Sequence, residues 1–128
     1  MKIKQLVLIV TLFMGASCTH EPVAVADMEK VCFTEDILPL FQNNCTSSGC
    51  HDASSSKAGY NFEDYTHIME AITPNDAQGS KAYQAITNSW NIMPPSNPIS
   101  SANRNKILIW IEQGAENTTC NDTILTIN

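Results

Sequence analysis

Cys45-Thr46-Ser47-Ser48-Gly49-Cys50-His51 sets two thiols on either side of a four-residue spacer, with an imidazole directly behind the second. A local disulfide and half of a zinc site both use such groups. Zinc asks for four ligands, and the other two histidines, His20 and His67, come without a second clustered pair. The disulfide stays open on these residues alone.

A third chemistry also fits. C-x-x-C-H is the attachment site of c-type haem, and the present stretch is that pattern with a longer spacer. Each thiol adds its sulfur and its hydrogen across one haem vinyl group, and the adjoining imidazole becomes the first axial ligand of the iron. A four-residue spacer must loop out to bring both sulfurs to their vinyl groups, and Ser47, Ser48 and Gly49 tolerate the irregular backbone this needs.

Working outward, every periodic segment reads as helix. Thr34 is a fair N-cap for a helix through Asn43 or Asn44, with Glu35 and Asp36 at its positive end and Ile37, Leu40, Phe41 and Asn44 on one side. Pro39 is tolerable because it lies near the first turn. This helix delivers Cys45 at its end. Asn61 can cap a second helix carrying Phe62, Tyr65, Met69 and Ile72, which Pro74 stops. A shorter helix starts at Ser80 with Tyr83 and Ile86 inward, and a last one runs from Ser100 or Ser101 through Ile107, Leu108, Trp110 and Ile111 to Gly114. With no alternating strand pattern, the expected class is all-α, about four helices with long connections. So thin a core implies that something other than side chains fills the centre.

An iron held by His51 in a six-coordinate carrier needs a second ligand from elsewhere in the chain. Met93 is the candidate: it sits in Ile92-Met93-Pro94-Pro95, where two prolines fix the following dihedrals and hold a thioether loop with little entropy to lose. The competing role for Met93 is that of a core gap-filler. His67 is a rival ligand, but the second helix places it beside the apolar face, where exposure is the usual fate.

The amino terminus reads as an export segment. Lys2 and Lys4 precede an apolar run from Leu6 to Met14 and the small residues Gly15, Ala16 and Ser17, the layout of a signal peptide spanning residues 1–17. Cys18 after small residues resembles the lipobox of bacterial lipoproteins, with Gly15 where a large aliphatic residue is usual. The expectation is a chain lipidated at Cys18, with residues 18–30 as tether, a domain over 31–120 and a tail over 121–128. Cleavage would leave 111 residues with a net charge of −8. That acid excess argues against a nucleic-acid partner, whose phosphates demand basic residues.

Taken in order, the capped helix, the Cys45 to His51 site, the Gly59-Tyr60 turn, Gly79-Ser80 before a short helix, the Met93-Pro94-Pro95 loop and the final Ile109-Trp110-Ile111-Glu112-Gln113-Gly114-Ala115 helix resemble the Planctomycete-type cytochrome c domain over roughly residues 31–120. The resemblance implies a cytochrome c-like fold around one covalent haem c, attached at Cys45 and Cys50, with His51 and Met93 as iron ligands. It also leaves Cys32 and Cys120 to pair: cytochrome c-like folds pack their terminal helices together, and both cysteines lie just outside those helices.

The function this implies is a monohaem c-type cytochrome carrying single electrons between redox protein partners. The expected location is the periplasmic side of a bacterial membrane or the cell surface, held by the lipid anchor. Two competitors are a haem-free interaction module stapled by a Cys45–Cys50 disulfide and a peroxidase-like haem enzyme with an open distal position. No paired carboxylates or Ser/His/Asp set offers another catalytic route, so an electron carrier without substrate chemistry is the expectation.

Overall fold

The computed structural model of the chain describes residues 24–120. The export segment, Cys18, His20 and the tail over 121–128 lie outside the described residues. Those described form an all-α fold of four α-helices with no strand among them: α1 (Leu38–Cys45), α2 (Tyr65–Ile68), α3 (Lys81–Thr87) and α4 (Ser101–Glu112).

The first helix does not begin at Thr34. A wide π turn over Phe33–Ile37 leads into α1, with Leu38 N–H bonding back to Phe33 O. Asp36 reaches back to the Cys32 N–H at 3.0 Å, and the Thr34 N–H is taken by Thr118 O at 3.1 Å, so the capping role moves upstream. The wide turn also lets Pro39, which has no N–H to give, enter at the second position of α1. Phe33, Ile37, Phe41 and Cys45 then form a buried stripe at a spacing of four, with Leu40 and Asn44 half-buried at its edge.

The second helix is shorter than its periodicity promises. Asn61 Oδ1 accepts the Glu63 N–H, which closes a tight turn rather than capping a helix. Asp64 is the cap instead, accepting the His67 N–H at 3.1 Å, and the helix tightens into a 3-10 turn at Met69–Ala71. Phe62 is therefore buried from an extended segment. Ser80 precedes α3 as expected, yet its fully buried hydroxyl does not cap it. The oxygen accepts the Thr73 N–H at 2.8 Å and donates to Asp76 O at 2.8 Å, locking the turn after Pro74.

The last helix is capped by Ser100, which accepts the Asn103 N–H, and is ended by Gly114 at a φ of 100°, a conformation that suits glycine. Trp110, buried, stands 5.6 Å from the Phe33 ring, and its indole N–H donates to Glu116 O at 3.0 Å. The ends of the domain thus meet, and Cys32 and Cys120 are bonded across them with a Cα separation of 5.4 Å. The bridge closes a span of 88 residues, so replacing both cysteines by serine is expected to lower unfolding stability by about 4 to 5 kcal/mol, read from denaturant midpoints. The segment before Cys32 is fastened as well: Gln113 accepts from Val31 N–H and donates to Glu29 O, and Lys30 pairs with Glu116.

A second tie between the terminal helices is electrostatic. Burial pushes the Asp36 carboxyl up, but Lys106 at 2.9 Å and the Cys32 N–H outweigh it and hold the acid below its usual range. A carboxyl whose folded pKa is depressed contributes stability above its unfolded value of 3.8, and that contribution fades as pH falls through the folded value. Asp36→Asn is therefore expected to be less stable than the parent at pH 7, with the two converging below pH 4 in matched melts.

Candidate functional site

α1 ends in the Cys45–His51 stretch, whose backbone turns sharply. Cys50 N–H donates to Ser47 O at 2.9 Å, and Gly49 takes a φ of 81°, which explains glycine in the spacer. His51 is pinned on both sides of its own backbone: its N–H donates to Cys45 O at 3.0 Å, and its carbonyl accepts the Phe62 N–H at 2.8 Å. Its ring lies 4.8 Å from that of Phe62.

The imidazole is also oriented chemically. Nδ1 lies 3.2 Å from the Tyr60 carbonyl. A carbonyl can only accept, so this contact calls for a proton on Nδ1, and in the neutral ring that leaves the Nε2 lone pair for a metal. Tyr60 acquires this role through Gly59, whose φ of 84° turns the chain back toward the histidine. The Gly59-Tyr60 turn was legible in the sequence; the duty of its carbonyl was not.

These groups open on a cavity of about 260 Å³, near the lower end of ordinary ligand pockets. Cys45, Cys50, His51 and Met93 all line it, although His51 and Met93 stand 42 positions apart in the chain. Met93 reaches it because its N–H donates to Ala85 O in α3 at 2.9 Å, which moors the proline-rich loop. Phe41, Phe62, Ala82 and Ile86 supply apolar walls. His67 is not among the lining residues; it is half-buried and bonded to Asp64 at 2.6 Å, and its absence from the cavity is what sets it aside as a rival ligand.

The donor set discriminates between chemistries. Burial, with Cys50 nearby, pushes the Cys45 thiol up to about 12. Among the described residues, the metal-ligating atoms that gather within 4.8 Å are those of Cys32, Glu35 and Cys120, and two of these are spent on each other. Two thiols, an imidazole bonded through Nδ1, a thioether and apolar walls suit a flat apolar group carrying a transition metal.

Comparison with curated proteins and with solved structures finds no match. A family model does match: residues 48–97, which include Cys50, His51 and Met93 and begin three positions after Cys45, fit the family described as Planctomycete cytochrome C. That match supports the resemblance over residues 48–97, and a Planctomycete cytochrome C domain implies haem c as its cofactor.

Proposed function

We propose that this protein is a monohaem c-type cytochrome that passes single electrons between exported redox proteins. Cys45 and Cys50 would hold the haem through thioethers, with His51 Nε2 and the Met93 sulfur available as ligands to its iron. The observation that carries the reading is the convergence of these four side chains on one apolar cavity. The haem, when bound, supplies a one-electron iron couple.

The chain's own contribution is positioning and exclusion of water. Tyr60 O fixes the histidine tautomer, Phe62 buttresses its ring, and the bond to Ala85 O holds the methionine loop. None of these groups needs to move a proton, which suits a carrier that changes charge without making bonds. A thioether ligand favours the ferrous state and raises the potential relative to two imidazoles.

Lipidation at Cys18 would tether the domain to a bacterial membrane, since two or more acyl chains give stable anchoring. With 13 acids against 7 basic side chains, the surface would steer partners bearing basic patches, an effect that salt weakens. The deciding experiment is expression with a haem-attachment system, followed by a haem stain after denaturing electrophoresis and reduced-minus-oxidised spectra. A stained band with c-type absorbance is expected. A colourless protein with Cys45 bonded to Cys50 would overturn the reading in favour of a haem-free module.

A further inference from the structure

The described lysines fall into two pairs. Lys30 and Lys106 each hold a carboxylate, those of Glu116 and Asp36, at 2.9 Å. Lys57 and Lys81 have no acidic partner among the described residues, and both line the cavity. Acids are the commoner charge in this chain, so a lysine without one is informative, and finding two at the same cavity is more so. The titratable groups lining the cavity are Cys45, Cys50, His51, Lys57, Tyr60 and Lys81, with no carboxylate among them. Apolar walls with cations at their edge match an occupant that has an apolar body and carboxylates of its own.

Haem has that shape, with two propionates on the edge opposite its vinyl groups. The edges separate the roles of the two lysines. Lys57 N–H donates to Cys50 O at 2.8 Å, so its backbone lies beside the thiols and hence beside the vinyl edge. Lys81 comes from α3, whose Ala82, Ala85 and Ile86 build another wall of the cavity. Resting on the haem reading above, we propose that Lys81 is the cation that pairs with a haem propionate. An ammonium–carboxylate pair there offsets negative charge near the iron, and a less negative surrounding favours the ferrous form, which carries one positive charge fewer.

The test uses the full, haem-loaded chain and measures midpoint potential from pH 5 to 8 for the parent, Lys81→Met, Lys81→Arg and Lys57→Met. The methionines keep the apolar stem and remove only the charge, and both lysines are exposed, so folding is not at stake. Lys81→Met is expected to lower the potential at pH 7 and to introduce a fall in potential with rising pH, because the unpaired propionate then ionises within that range. Lys81→Arg should restore the parent profile, and Lys57→Met should shift the potential less without adding a slope. Coincident profiles for Lys81→Met and Lys57→Met, or an unchanged Lys81→Met, would overturn the assignment while leaving the cytochrome reading intact. A chain that carries no covalent haem defeats that underlying reading instead, and is recognised before any potential is measured.

Discussion

Replacing Cys45 and Cys50 together by serine is expected to yield a protein that loses its haem on denaturing electrophoresis and unfolds far more readily than the loaded parent. The first effect follows from removing both sulfurs that can bond to vinyl groups. The second follows from what remains: a cavity of about 260 Å³ between Phe41, Phe62 and α3. Left unfilled, that space exposes the apolar faces of Phe41, Phe62 and Ile86 to water, and the burial a bound group gives them is lost. A small domain has only about 5 to 15 kcal/mol of stability to lose. Thermal unfolding of loaded parent and unloaded double variant, under identical conditions, measures the difference. Melting temperatures within a degree of each other would mean that nothing of consequence fills the cavity in the parent.

Met93→Ala should leave the haem attached but change its iron. Loss of the thioether removes the methionine-to-iron charge-transfer absorption and lowers the potential by about 0.1 V or more, within the roughly 0.8 V that axial ligation spans. The side chain is half-buried and its backbone is moored to Ala85 O, so truncation should not release the loop itself. Absorption and potential unchanged from the parent would return Met93 to the role of gap-filler and leave the distal face to another group. The contrast with the double cysteine variant is useful, since on the proposed reading one would remove the cofactor and the other only its sixth ligand.

The structure departs from the residue pattern where a side chain had a choice of backbone partners. Thr34, Asn61 and Ser80 are all residues that cap helices, and none of them does so by its side chain here. Each is engaged in a bond whose other end is set by the fold: Thr34 N–H with Thr118, Asn61 with the turn before Asp64, and Ser80 with the loop after Pro74. Ser100 and Gly114 behaved as their types suggest, because both ends of α4 are decided by local geometry. The inward residues of α3, Tyr83 and Ile86, were legible for the same reason: a spacing of three along a helix determines which side chains share a face.

The site divides along the same line. The tight turn of the Cys45–His51 stretch with its glycine, the Met93-Pro94-Pro95 loop and the all-α class could be read directly, because spacer residues, proline dihedrals and helical periodicity are properties of near neighbours in the chain. The Tyr60 carbonyl on His51, the bond from Met93 to Ala85 and the positions of Lys57 and Lys81 at one cavity could not. These join segments far apart in sequence through backbone atoms and long side chains that every residue or every lysine possesses, so only the folded chain distinguishes those that meet from those that do not.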